Sequence, residues 1–166
     1  MSIKIDLEKL RFDAKAAAAE NKAFYARLKR KKYKTLDDNV IEIHEEVFEN
    51  IDCLECANCC KTISPRLTLK DIERLAKYLK MRVGDFTAQY VYADGDGDYI
   101  FNSTPCPFLM DDNYCSVYDK RPKACSDYPH TDRRRFHQLS EISLNNTHIC
   151  PGVFEITEQL KKRNLK

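Results

Sequence analysis

The sequence lacks any long hydrophobic run and any apolar targeting segment. No stretch of about 18 apolar residues, the length that a membrane-spanning helix needs, occurs in its 166 residues. The first residues, Met1 to Asp6, have no apolar core of the kind that secretory signals carry. We therefore predict no membrane span and a cytoplasmic location, where glutathione and thioredoxin keep thiols reduced.

The chain also lacks a strong excess of charge of either sign. It has 28 Lys and Arg against 26 Asp and Glu, so its formal net charge is +2. This balance argues neither for nor against a nucleic acid. Basic residues do cluster between Arg27 and Lys34, but they follow a predicted helix, whose C-terminal end favours cations. The cluster is not an alternation of basic and aromatic residues, so we do not expect a nucleic-acid partner.

No arrangement of residues predicts a catalytic mechanism. The sequence has no visible Ser/His/Asp set, no carboxylate pair placed for acid–base chemistry and no glycine-rich nucleotide loop. The stretch from Asp94 to Asp98 invites comparison with a calcium loop, but Tyr99 stands where an EF-hand loop needs Gly, and Pro105 where it needs an acid. We interpret it as a turn that leads into a strand. We predict no catalytic residue, and whether the protein is an enzyme stays open.

Eight cysteines are the strongest feature that the chain does have. Four of them fall within eight residues, in Cys53-Leu54-Glu55-Cys56-Ala57-Asn58-Cys59-Cys60, and this spacing lets thiolates converge on a metal. Neighbours this close cannot easily form disulfides with each other. The other four stand singly: Cys106, Cys115, Cys125 and Cys150. In a reducing compartment we expect all eight to be metal ligands. The alternative for each dispersed cysteine is a buried hydrophobic role.

The adjacent pair favours two metal centres. Successive side chains usually diverge, so we expect Cys59 and Cys60 to serve different centres, or one of them to be structural. In one partition, Cys53, Cys56 and Cys59 join a remote cysteine, and Cys60 joins three others. The first set resembles the ferredoxin run, which a remote Cys-Pro completes, and Cys106-Pro107 and Cys150-Pro151 are both candidates. Spacings of two residues also bind zinc, so the choice between zinc and iron stays open.

Histidines are weaker candidates for metal ligands. His44 borders the apolar face of a predicted helix, where a packed or capped residue is the simpler interpretation. His148, two residues before Cys150, is the best of the others, and His130 and His137 also lie near the cysteine motifs. We rank each of them below every cysteine.

Hydrophobic periodicity predicts a mainly α-helical protein. Residues spaced alternately by three and four positions would line one face of a helix, and they predict a helix over about residues 5–32. These residues are Leu7, Leu10, Ala14, Ala17, Asn21, Phe24 and Leu28. A second helix is predicted over 36–51, and the two would form an αα-hairpin. The alternative is that the first helix binds a protein partner or a second copy of the chain.

The rest of the chain predicts further helices and a small sheet. One helix should begin at a capping box at Thr68, a second near Gly84, a third at Asp119 and a fourth at Val153. Strands are expected over 99–101 and in a hairpin over 108–118. The predicted fold class is α+β, mainly α-helical, with an N-terminal αα-hairpin followed by a metal-centred cysteine domain with a small antiparallel sheet. The predicted domains are a helical arm over 1–52, the cysteine domain over 53–152 and a C-terminal helix over 153–166.

The order of the cysteine motifs is specific. After the first cluster come Cys106-Pro107-Phe108-Leu109, Cys115-Ser116-Val117-Tyr118 and Arg121-Pro122-Lys123-Ala124-Cys125, followed by Tyr128-Pro129. With these motifs, roughly residues 53–152 resemble the CxxCxxCC family, also described as YkgJ-like cysteine-cluster proteins with a zinc- or iron-chelating domain. The resemblance implies bound zinc, iron or an iron–sulfur cluster, and no established reaction. Similar modules occur in proteins that resemble flagellin lysine methylases, so a role beside methyl transfer is one alternative.

Two functions of different classes follow. The first is a cytoplasmic metal-binding protein whose cysteines chelate zinc or iron in a structural, metal-handling or sensing role. The second is an iron–sulfur redox protein or oxidoreductase. In both, the predicted partner is a metal ion or cluster, and a protein partner through the N-terminal helix stays open.

Overall fold

The computed structural model describes residues 5–166, so the first four residues of the predicted arm lie outside the described part. Its helices are α1 (Leu7–Arg30), α2 (Leu36–Phe48), α3 (Cys53–Cys56), α4 (Asn58–Thr62), α5 (Leu69–Tyr78), α6 (Val83–Tyr90), α7 (Lys123–Asp127), α8 (Ser140–Asn146) and α9 (Pro151–Lys162). The strands are β1 (Arg66–Leu67), β2 (Val91–Ala93) and β3 (Tyr99–Phe101), and short 3₁₀ helices cover Tyr118–Lys120 and Phe136–Leu139. The fold is therefore α+β and mainly helical, as the sequence predicts.

The described chain divides into two compact units. The first combines residues 5–53 with 129–166, and the second comprises residues 54–128. Cys53 and Cys150 belong to the first unit, and the other six cysteines belong to the second. The ranges 1–52, 53–152 and 153–166 stay predictions about where the arm, the cysteine domain and the terminal helix lie.

The first unit is built around the apolar faces of α1, α2 and α9. α2 packs against α9, and α1 packs against α8 and α9. The largest apolar cluster comprises Phe24, Tyr25, Leu28, Leu36, Val40, Ile43, Val47, Phe136, Ile156 and Leu160. Helix α1 begins at its cap, Asp6, whose carboxylate accepts the N–H groups of Glu8 and Lys9 at 3.0 and 2.9 Å. The periodic face of α1 is thus buried within the chain itself.

The second unit packs α5 and α6 against a three-stranded antiparallel sheet in the order β1-β3-β2. Ile100 in the central strand pairs with Arg66 on one side and with Tyr92 on the other. The apolar core comprises Leu67, Ile72, Leu75, Ala76, Phe86, Phe101, Phe108 and Val117, and Cys106 and Cys115 pack at its border. Two of the dispersed cysteines are therefore held by the core of this unit.

Two local predictions are confirmed in the second unit. The capping box at Thr68 is present, with Thr68 and Asp71 satisfying each other's backbone N–H groups. The acidic stretch is a turn, because the Asp94 carboxylate accepts the N–H groups of Asp96 and Asp98 at 3.0 and 2.9 Å. The predicted strand over 99–101 follows it.

Two other local predictions need correction. The hairpin over 108–118 is present but shorter than predicted. Leu109 and Cys115 form an antiparallel bridge, flanked by two backbone hydrogen bonds of 2.9 Å, and the pairing ends before the 3₁₀ helix that begins at Tyr118. Asp119 does not cap the helix that carries Cys125. That helix, α7, begins only at Lys123, after Pro122, and its first N–H group is bound by the distant Asp71 at 3.1 Å.

Candidate metal centre

The first cysteine cluster spans two short helices. Cys53 and Cys56 are the end residues of α3, and Cys59 and Cys60 lie in α4. Between the helices stands Ala57 with φ 46°, in the left-handed region, which costs free energy for a residue with a Cβ. Cys53 is exposed and Cys56, Cys59 and Cys60 are half-buried. The cluster is thus divided by a sharp change of chain direction at Ala57.

Cys59 and Cys60 lie closer together than their adjacency predicts. Their sulfur atoms are 4.0 Å apart, and both residues lie in α4. The thiol of Cys59 hydrogen-bonds to the sulfur of Cys60 and lowers the pKa of Cys60 to about 7. Burial opposes this shift, and the positive charge of Lys61 supports it. Cys60 is therefore partly a thiolate at neutral pH.

The remote cysteines of the second unit come close to Cys60. The N–H group of Cys106 donates to the carbonyl oxygen of Cys60 at 2.8 Å, which fixes the two backbones side by side. The charge of Cys60 raises the pKa of Cys106, Cys115 and Cys125 alike. Cys106 and Cys115 add to the effect on Cys125. Because such effects decay with distance, we define Cys60, Cys106, Cys115 and Cys125 as the four-thiol set.

Burial keeps three members of the four-thiol set protonated. It is the largest cause that raises the pKa of Cys106 to about 11 and that of Cys125 to about 12, and it also raises the pKa of Cys115. Backbone hydrogen bonding at Phe108 and Leu109 opposes the rise in the pKa of Cys106, and backbone hydrogen bonding at Val117 opposes it for Cys115. These contributions favour thiolates, the form that binds metals.

The four-thiol set fits zinc or iron by its donor chemistry. Four thiolate sulfurs are the ligand set of closed zinc sites and of common iron–sulfur clusters. Within residues 5–166, however, no three His, Cys, Asp or Glu side chains already stand as a group that could hold a metal ion. Three of the four are neutral thiols at neutral pH, and ionising them side by side is costly until a cation lies between them. The chain supplies neighbouring donors, and ligation would need their side chains to move.

The other four predicted ligands are divided between the two units. Cys56 and Cys59 belong to the second unit, and Cys53 and Cys150 to the first. Cys150 directly precedes α9, and its N–H group donates to the carbonyl oxygen of Asn146 at 2.8 Å. Their assignment as ligands stays a prediction.

His44 is a packed side chain, as its position predicts. Its Nδ1 atom lies 2.8 Å from the Thr131 hydroxyl, and its ring lies 4.6 Å from that of Phe48. Burial lowers the pKa of His44, which favours the neutral ring. His130, His137 and His148 stay weaker ligand candidates.

Sequence reasoning missed Lys61 as a member of the site. Its ammonium group donates to the carbonyl oxygen of Cys56 at 3.4 Å and favours the thiolate of Cys60. A basic residue directly after an adjacent cysteine pair is the signal that could have identified it.

Among the comparisons with known proteins, a family model matches the cysteine region. No curated protein and no solved structure matches the chain. Among the described residues, no helix is both long and apolar enough to cross a membrane. The model of the CxxCxxCC family, described as a putative zinc- or iron-chelating domain, matches residues 52–151, which include all eight cysteines. The chain therefore belongs to the CxxCxxCC family.

Proposed function

We propose that the four-thiol set binds one zinc or iron centre, and that the protein is a cytoplasmic metal-binding protein with a structural, metal-handling or sensing role. One observation carries the proposal: the N–H group of Cys106 donates to the carbonyl oxygen of Cys60 at 2.8 Å. The charge of Cys60, which adds to burial in raising the pKa of Cys106, Cys115 and Cys125, supports including all three. The set is also compatible with one partition that the sequence allows, in which Cys60 joins three other cysteines.

The four cysteines differ in how readily they become thiolates and so in how they would bind a metal. Cys60 offers a sulfur that is already partly ionised at neutral pH, because Cys59 and Lys61 support its negative charge. The other three thiols must lose protons before they can bind. A bound zinc or iron ion supplies the positive charge that stabilises these thiolates. Backbone hydrogen bonding at Cys106 and Cys115 lowers the cost of ionising them.

An iron–sulfur redox protein is the second candidate. It is supported by the ferredoxin-like spacing of Cys53, Cys56 and Cys59 and by the Cys-Pro pairs at Cys106 and Cys150. In this alternative, electron transfer would be the function. Eight ligands in total would permit two centres, and which cysteines complete the second one stays a prediction of the sequence.

The metal can be identified on one sample of the protein purified without oxygen. We would measure zinc, iron and acid-labile sulfide per chain and record a visible spectrum. Zinc without sulfide, in a colourless sample, supports a structural or metal-handling role, because Zn²⁺ has no redox chemistry. Iron with matching sulfide and a brown colour that bleaches on reduction supports the redox protein. A chain that binds neither metal, with eight titratable thiols, refutes both.

The four-thiol set can be tested with a matched pair of neighbouring variants. Cys125→Ser removes one proposed ligand. Ser126→Ala removes an exposed hydroxyl that donates a hydrogen bond to the Lys123 carbonyl oxygen at 2.9 Å. In Co²⁺-loaded protein, the sulfur-to-cobalt charge-transfer band should lose about a quarter of its intensity in Cys125→Ser, because one of four thiolates is missing. The Ser126→Ala band should not change. Equal intensity in Cys125→Ser and the wild type would exclude Cys125 from the centre.

A further inference from the structure

The carboxylate of Asp71 makes more contacts than a helix cap requires. Its side chain is 1% exposed, and one oxygen accepts the N–H and hydroxyl groups of Thr68 at 2.9 and 2.7 Å. This oxygen completes the capping box of α5. The second oxygen binds the Arg74 guanidinium and the N–H group of Lys123, the latter at 3.1 Å. A capping box uses only the first of these oxygens.

The second oxygen joins α5 to the segment that carries Cys125. Lys123 is the first residue of α7, a helix of only five residues that contains Cys125. Arg74 adds two bonds to the same segment, because its guanidinium donates to the carbonyl oxygens of Lys120 and Arg121 at 3.3 and 3.0 Å. A helix this short has little stability of its own. Its place is therefore set by Asp71 and Arg74 rather than by helix propensity.

We propose that Asp71 and Arg74 are positioning residues that hold Cys125 within reach of the other thiols of the four-thiol set. This inference rests on the proposed function. Both oxygens of the buried carboxylate accept hydrogen bonds, one from the start of α5 and the other from the start of α7, so the carboxylate holds these two helix ends together. Arg74 is 39% exposed at its side chain, and its bonds run to the chain just before Cys125. Groups that orient metal ligands in this way typically contribute about 10–100-fold to metal affinity.

Arg74→Gln tests the inference with little risk to folding, because the side chain is partly exposed. Arg66→Gln is the control, since Arg66 forms an ion pair of 2.7 Å with Asp98 in the same unit, with a side chain that is more exposed than that of Arg74. We expect Arg74→Gln to weaken Zn²⁺ binding by about 10-fold or more, and Arg66→Gln to bind as the wild type does. Arg74→Lys should restore little of the wild-type Zn²⁺ affinity, because an ammonium group cannot reproduce the planar set of N–H donors of a guanidinium. Unchanged Zn²⁺ affinity in Arg74→Gln would overturn the inference.

A second measurement separates positioning from a general loss of stability. The rate of alkylation at each cysteine can be followed by mass spectrometry in the metal-free and zinc-loaded protein. In Arg74→Gln and Asp71→Asn, we expect Cys125 to react about 10-fold faster in both forms, while Cys106 keeps its wild-type rate. Equal acceleration at Cys106 and Cys125 would indicate loosening of the whole unit and would contradict the inference.

The two proposals fail in different ways. If zinc protects no cysteine of the wild type, the proposed metal centre is wrong, yet selective exposure of Cys125 in the metal-free variants would still show that Asp71 and Arg74 position it. If zinc protects the wild type and the variants alike at Cys125, the metal centre stands and the positioning role is wrong.

Discussion

Metal binding should release protons from the four-thiol set, and the number released can be derived from the ionisation of its members. The pKa of Cys60 is lowered to about 7, whereas the pKa of Cys106 is raised to about 11 and that of Cys125 to about 12. The pKa of Cys115 is also raised. At neutral pH, three thiols of the metal-free protein are therefore protonated, and Cys60 is half ionised. Since metals bind thiolates, each proton must leave when the ion binds.

The expected release at pH 7 is about 3.5 protons per ion, because three thiols each lose one proton and Cys60 loses about half of one. At pH 8 the release should fall to about 3, because Cys60 is then almost fully ionised before binding. Protons are products of binding, so affinity rises with pH, and between pH 7 and pH 6 it should fall by more than about 1,000-fold.

The assay is calorimetric titration with Zn²⁺ in buffers of different ionisation enthalpy, which gives the number of protons per ion. Cys125→Ser should reduce the release at pH 7 by about one proton, and Cys60→Ser by only about half of one. Ser126→Ala should leave the number unchanged. A release below about two protons per ion in the wild type, or equal losses in Cys60→Ser and Cys125→Ser, would refute the reasoning.

Three further predictions concern stability. Gly152→Ala should destabilise the protein by about 1–3 kcal/mol, because the added Cβ would lie 2.5 Å from the ring of Phe48. The change can be measured by urea unfolding. Gly84 has open space around it, so the control Gly84→Ala should be neutral or stabilising. Asn21→Leu should raise the unfolding free energy by about 1 kcal/mol or more, because both amide atoms of Asn21 are buried without a partner among the described residues; a clear loss of stability would contradict this. Burial favours a raised pKa at Asp71, but its hydrogen bonds outweigh burial and hold the pKa below its usual value. Its contribution is therefore present above the unfolded-state pKa, about 4, and is lost as the pH falls through the folded-state pKa. Asp71→Asn should flatten acid unfolding in that range, and an unchanged profile would show that the carboxylate is not stabilising.

Much of the fold could be predicted because its signals are local. The spacing of apolar residues in α1 and α2 and the pairing of Thr68 with Asp71 are properties of short segments, and the structure confirms them. The cap of α7 could not be predicted in this way. Asp119 is the nearest acidic residue before that helix, yet Asp71 supplies the carboxylate from 52 positions away, and only the tertiary fold brings it there.

The candidate site could be predicted in its composition and only partly in its grouping. The motif spacing identifies the cysteines, and the family match includes every one of them. The sequence could not predict which cysteines lie near Cys60, because that depends on how the segments of the chain pack. Nor could it foresee that the sulfurs of Cys59 and Cys60 lie 4.0 Å apart. Spacing determines which residues can bind a metal, whereas burial determines the cost of ionising them.

The burial of the four-thiol set has opposite effects on the metal-free and the metal-bound protein. Neutral thiols tolerate an apolar border well, so Cys106 and Cys115 can pack against the core without a metal. The same burial makes their thiolates costly, and it strengthens the attraction between thiolates and a cation once water is displaced. Fully exposed cysteines would ionise at lower cost but would hold the ion in water. The raised pKa values of Cys106 and Cys125 therefore indicate a site that releases its ion as the pH falls, while its thiols return to the neutral form that the core accepts.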